Sequence, residues 1–362
     1  MGRWRVVGHA GVVSALDRAV REGRTGHAYL LTGPPQVGKR TLALELAKAL
    51  NCTGDDPPCG ACRPCRRIQD GAQPDGSYQA KFPDVELVGV GGLCNESEHD
   101  HTRDGSKDIR ICQVRRLEAL LSLRPFEGRR RVVIIDPADA LNATAADAFL
   151  KTLEEPPPSV VILLVTAREG RLPETIVSRC QRLVLAPLPR REVEAALTAV
   201  WGADPGEAKA LARLAAGRLG WAVAALGNPA AVEERRAALA RLAALPDAPL
   251  QERFAFAEEL AARFPQDRVA VLGMLELWEA WWRDVLLAAA GCPEQAVHEE
   301  QAALLREAAA RHRPEEVVAF LRSLAAARRH LEENVNARLA LEVLMLDLPA
   351  AGRKEEGAAR PR

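Results

Sequence analysis

The chain is 362 residues long, enough for two or three domains, and 48% of it is hydrophobic, enough to fill real cores. Lysine and arginine balance aspartate and glutamate at 49 each, so there is no bulk electrostatic drive toward nucleic acid or an anionic membrane. No stretch reaches membrane-spanning length without charges and the N-terminus lacks a signal-peptide pattern, so a cytoplasmic chain with no membrane partner is expected.

Val12, Val13, Leu16 and Val20 share one face of a helix, which Arg21 to Gly26 break. Residues 29–41 then read as strand, loop and helix, with Gly33-Pro-Pro-Gln-Val-Gly38-Lys39 between an apolar strand and a leucine-bearing helix. That order is a phosphate-binding P-loop. Gly33 and Gly38 let backbone N–H groups turn toward phosphate oxygens, Lys39 adds charge, and the helix start adds its dipole. The residue after the lysine should be Ser or Thr, a Mg²⁺ ligand, but here it is Arg40, with Thr41 one place late. A phosphate cradle is therefore predicted, and whether it also holds ATP and Mg²⁺ is left open.

Cys52, Cys59, Cys62 and Cys65 follow, spaced C-x₆-C-x₂-C-x₂-C. Such thiolate pairs on tight turns suit tetrahedral Zn²⁺ with no open position, so the zinc should be structural. Pro57, Pro58, Gly60 and Pro64 are expected to keep this segment a loop. Cys94, Cys112, Cys180 and Cys292 are scattered and read as ordinary small apolar residues. Residues 91–106 are polar and read as a solvated surface insertion; a metal site from His99 and His101 is the minor alternative.

Phe82 to Val88 contains a plausible strand, and Ile109 to Leu121 suits a strand end running into a helix. Val132-Val-Ile-Ile-Asp136 reads as a buried parallel strand with an acid at its carboxyl end, the position that holds Mg²⁺ in P-loop ATPases. The following residue, which should be a Glu that activates water, is Pro137. Asp139 is displaced and is expected to cap the next helix. Arg40 and Pro137 fail in the same direction, against intrinsic ATP hydrolysis. Val160 to Thr166 and Arg182 to Leu185 complete the alternation of strand and helix expected of a parallel, doubly wound α/β sheet.

The segments His27-Ala-Tyr-Leu-Leu, Ala148-Phe-Leu-Lys-Thr-Leu-Glu-Glu-Pro-Pro157 and Ser178-Arg179-Cys180, with the cysteines after the P-loop, resemble the AAA+ clamp-loader family. Asp108 to Arg115, Leu123 to Gly128 and Asn334 to Glu342 are similar to delta-prime-type subunits of the bacterial DNA polymerase III clamp loader. The resemblance spans nearly the whole chain. It implies an AAA+ P-loop domain with the zinc module (residues 1–187), a helical lid (188–228), an all-α collar domain (229–349) and a disordered tail (350–362). It implies that Arg179 acts as an arginine finger on ATP held by a neighbouring subunit, and that the lid position of a nucleotide-sensing arginine is Gly220, with Arg218 nearby. The implied partners are gamma/tau and delta subunits, with the sliding clamp and primed DNA met through the assembly. Two other readings stand beside it. One is an active motor ATPase in which Thr41 and Asp139 compensate. The other is a zinc-dependent nucleic-acid binder using Arg63, Arg66 and Arg67. Leu275, Leu277, Trp278, Trp281 and Trp282 form a stripe read first as helical core and second as a subunit interface.

Overall fold

The computed structural model describes residues 4–72, 78–92, 94, 101, 106–292, 296, 302–333 and 335–349. Most of the polar insertion and all of the charged tail lie outside the described residues. The chain forms two compact units, divided between Val223 and Ala224.

The first unit runs α1 (Ala10–Arg21), β1 (Ala28–Thr32), α2 (Lys39–Asn51), α3 (Arg63–Gly71), β2 (Val85–Val88), α4 (Ile111–Leu121), β3 (Arg131–Ile135), α5 (Ala143–Glu154), β4 (Val160–Thr166), α6 (Glu174–Val177), β5 (Gln181–Val184), α7 (Arg190–Trp201), α8 (Pro205–Leu214) and α9 (Leu219–Ala225). The five strands pair in the order β2-β3-β4-β1-β5, all parallel. Strands covered on both faces read as continuous apolar runs, as β3 and β4 do. Val132 and Ile134 pack on one side with Leu42 and Leu46 of α2; Val133 and Ile135 pack on the other with Phe149 of α5. The result is the doubly wound sheet expected from the alternation.

The parallel register brings the carboxyl ends of β1, β4 and β3 side by side, with Thr32 opposite Thr166 and Ile135 opposite Leu164. Open α/β sheets bind ligands at such ends. The P-loop leaves β1 there, Asp136 follows β3, and Thr166 ends β4.

The second unit is helical: α10 (Pro229–Ala244), α11 (Leu250–Arg263), α12 (Arg268–Ala289), α13 (Ala302–Arg311), α14 (Pro314–Glu332) and α15 (Ala337–Leu346). Trp278, Trp281 and Trp282 of α12 are buried in its core. Trp278 and Trp282 meet Phe320 of α14 edge-on, at 5.1 and 5.4 Å between ring centres, a favoured aromatic geometry. The stripe is thus core, the first of its two readings.

Candidate functional site

The P-loop closes tightly because its glycines are required. Gly33 sits at φ +144°, and a Cβ there would lie 2.1 Å from the Leu185 carbonyl oxygen; Gly38 sits at φ +101° and opens α2. Several carbonyls of the loop are already engaged. Lys39 Nζ donates to Gly33 O at 2.6 Å and to Pro34 O at 2.5 Å. The Gly220 amide donates to Gln36 O at 2.8 Å, and a His9 ring nitrogen bonds Val37 O at 3.0 Å. These four bonds, from three donor groups, hold the loop in shape. Lys39 is buried, and burial lowers its pKa to about 8 against the pull of Asp136 and Asp139. It is still mainly protonated at neutral pH and remains an anion-attracting charge.

The metal half of the site is different. Arg40 donates from Nε to Asp136 Oδ2 at 2.5 Å, joining residues 96 apart in sequence. The residue in place of the metal-binding hydroxyl thus neutralises the acid that should share the metal. Thr41, the proposed substitute hydroxyl, is exposed. Asp139 does not cap a helix; Asn142 caps α5 by accepting from the Ala145 amide at 2.9 Å. Asp139 lies in a short 3₁₀ turn and is buried between Thr166 Oγ1, 2.6 Å away, and the Arg168 guanidinium, 2.5 Å away. A carboxylate so fully hydrogen-bonded has little capacity left to activate water.

Gly220 has a steric reason. A Cβ at this position would lie 2.9 Å from Gln36 O, so the start of α9 can approach the P-loop backbone only as glycine. Arg218 is directed elsewhere in part, donating from Nε to Ala215 O at 3.3 Å.

Arg179 stands on the turn between α6 and β5. It donates to Thr175 O at 2.8 Å and pairs with Glu154 Oε1 at 2.5 Å, both partners near the surface. The sheet does not bring it together with Lys39 and Asp136 in any contact among the described residues.

The cysteines converge. The Sγ atoms of Cys52, Cys59, Cys62 and Cys65 all lie within 4.8 Å of one another, with Cys52 and Cys62 3.9 Å apart. Cys52 caps the end of α2, and Cys62 caps the start of α3. Here one expectation needs correction: the loop ends at Cys62, and Pro64 and Cys65 belong to the first turn of α3, where proline is tolerated because its missing N–H has no helical partner. Backbone amides of Gly54 and Cys59 donate to Cys52 Sγ at 3.4 Å, and that of Cys62 donates to Cys59 Sγ at 3.3 Å. Such bonds stabilise thiolates. At Cys62 burial works against ionisation, but hydrogen bonds from Thr53 and Cys65 outweigh it and bring the pKa to about 6. Four soft donors on this scale fit tetrahedral zinc.

Sequence reading missed two sets of buried polar groups. Lys48 pairs with Glu45 inside α2, both almost fully buried, and reaches Gln69 of α3 at 2.8 Å. Asp84 is buried and accepts from the amides of Phe126, Glu127 and Gly128 at 2.7–2.8 Å, fixing the 123–128 segment. The expected solvated insertion is corrected at one point. His101 is 1% exposed and clusters with Cys94 and Cys112, while His99 lies outside the described residues.

A family model described as "DNA polymerase III, delta subunit" matches residues 8–189, half of the chain, and its C-terminal counterpart matches residues 249–349. DNA polymerase III subunit delta' of Bacillus subtilis is 28% identical over 93% of this chain and 95% of its own length. The tau subunit of Escherichia coli is 34% identical over 60% of this chain, which covers 32% of tau. A gamma-subunit-related protein from Thermotoga maritima superposes with a TM-score of 0.36 and 20% identity, covering 91% of this chain and 97% of that one. With a parallel P-loop sheet, a four-cysteine knuckle and a helical second unit on the page, these matches lead to one conclusion: the chain belongs to the delta-prime family of DNA polymerase III clamp-loader subunits.

Proposed function

We infer that the chain is a non-hydrolysing member of the clamp loader. It would stand beside gamma/tau and delta subunits in a heteropentamer and extend Arg179 to ATP held by a neighbouring motor subunit. The assembly would open the sliding clamp and load it onto primed DNA, in the cytoplasm at the replisome. Cys52, Cys59, Cys62 and Cys65 would hold one structural Zn²⁺. Gly33, Gly38 and Lys39 would at most cradle a phosphate without turnover.

The observation that carries this reading is the Arg40–Asp136 ion pair at 2.5 Å. A guanidinium in the metal's neighbourhood repels a divalent cation and occupies the acid that would bind it. Pro137 supplies no base, and Asp139 is already committed to Thr166 and Arg168. Arg179 is half-buried and paired with Glu154 near the surface, and a permanently charged, planar guanidinium there suits a transferring phosphoryl group on a neighbour. The exposed apolar residues Leu339, Val343 and Leu346 along α15 support assembly through the helical unit.

ATP turnover by the purified chain, with Lys39→Ala as control, tests the reading. No turnover above the control is expected. Turnover abolished by Lys39→Ala would instead establish a motor, the alternative that the similarity to tau favours. In the reconstituted loader, Arg179→Ala should leave the fold intact and slow the adjoining ATPase site by roughly 10³-fold. Unchanged turnover there would remove the finger role.

A further inference from the structure

We propose that Cys94, His101 and Cys112 form a second zinc site, separate from the four-cysteine knuckle. Their ligand atoms all lie within 4.8 Å of one another, and His101 Nε2 is 2.9 Å from Cys112 Sγ. A tetrahedral ion with Zn–S of about 2.3 Å and Zn–N of about 2.0–2.1 Å holds such donors roughly 3.5–3.8 Å apart, so His101 and Cys112 would part by roughly half an ångström to admit it. Cys94 and His101 are buried, and Cys112 is half-buried. Two thiols and an imidazole are soft and borderline donors, which select zinc over Mg²⁺ or Ca²⁺.

The backbone places these residues without help from an ion. Beyond β2 the chain turns through Gly91 and Gly92, at φ +90° and +80°. The His101 amide donates to Gly92 O at 3.0 Å. Gln113, next to Cys112 in the first turn of α4, donates from its side-chain amide to Gly89 O at 3.2 Å and to Gly91 O. One helix start therefore supplies a ligand and also clamps the turn from which the other two depart. A hydrogen bond alone would account for the His101–Cys112 pair, but not for a third metal-ligand side chain converging on it.

Among the described residues only these three donors converge here. Held by three described donors, against four thiolates in the knuckle, this ion should exchange more readily.

Metal analysis of the full chain, kept reduced and equilibrated with excess zinc and then desalted, tests the proposal. The expected content is about two zinc ions per chain, falling to about one in Cys112→Ser and in His101→Asn. Mild chelator should release the ion lost in those variants first. One ion per chain in the unaltered protein, or two in both variants, would overturn the proposal. If a variant fails to fold, alkylation of the unaltered chain decides. Zinc should protect Cys94 and Cys112, and chelator should expose them before the knuckle cysteines; reaction at the same rate with and without zinc would also overturn it.

Discussion

Helix α2 is 13 residues long and has a site at each end. At its start lies a P-loop backbone whose Arg40 pairs with Asp136, the acid at the end of β3. At its end lies a cysteine knuckle in which backbone and side chains agree. The loop's shape depends on glycines, a lysine and hydrogen bonds from His9 and Gly220, none of which binds a metal. Hydrolysis in P-loop ATPases depends on single side chains at two positions, which here are Arg40 and Pro137. The knuckle has no such separation, because the groups that shape it are the groups that would bind the ion. Fold and chemistry can therefore part at the first end and cannot at the second.

The largest effect that could break this comparison is at the knuckle. Cys62→Ala should abolish zinc binding there and unfold the first unit, since structural zinc contributes on the order of 10 kcal/mol to small metal domains. Thermal melting with metal analysis checks this, and a stable, metal-free first unit would end the contrast. A smaller loss is expected one turn earlier, from Lys48→Met. Glu45 would be left buried without its partner, at a cost of about 3–5 kcal/mol in chemical denaturation. A value near zero would mean that Glu45 takes up a proton or another partner at little cost. The smallest effect sharpens the first end. Arg40→Thr restores the hydroxyl and frees Asp136, so Mg²⁺-dependent nucleotide affinity should rise about tenfold, for a gain of one charge-assisted contact. Turnover should stay absent because Pro137 is unchanged. Equal affinity with and without Mg²⁺ would show that Arg40 is not the block.

What the sequence made legible was what depends on nearby residues. Glycines flanking a lysine after an apolar run identify the loop, and cysteine spacing identifies the knuckle, because both are built within a few tens of residues. The absence of suitable side chains at positions 40 and 137 was visible too. The pairing of Arg40 with Asp136 was not, since it joins residues 96 apart. Asp139 read as a cap because acids near a helix start commonly are caps; its partners Thr166 and Arg168 arrive at the end of β4 and just beyond it. Pro64 read as a loop residue, although its neighbours Arg63 and Cys65 form a helical first turn with it. Cys94, His101 and Cys112 have no ligand-type spacing, and only the turn at Gly91–Gly92 and the Gln113 clamp bring them together.

The hydrogen bond from the Gly220 amide to the Gln36 carbonyl has a thermodynamic reading. It makes the position of α9 and the curvature of the phosphate loop two readouts of one equilibrium. A ligand that straightens the loop must work against that helix, and by linkage any force on the helix must return to the loop with equal strength. The bond's net worth, about 0.5–1.5 kcal/mol, limits what this contact can transmit to roughly tenfold in affinity. Any larger effect of α9 on nucleotide affinity would have to travel through other contacts.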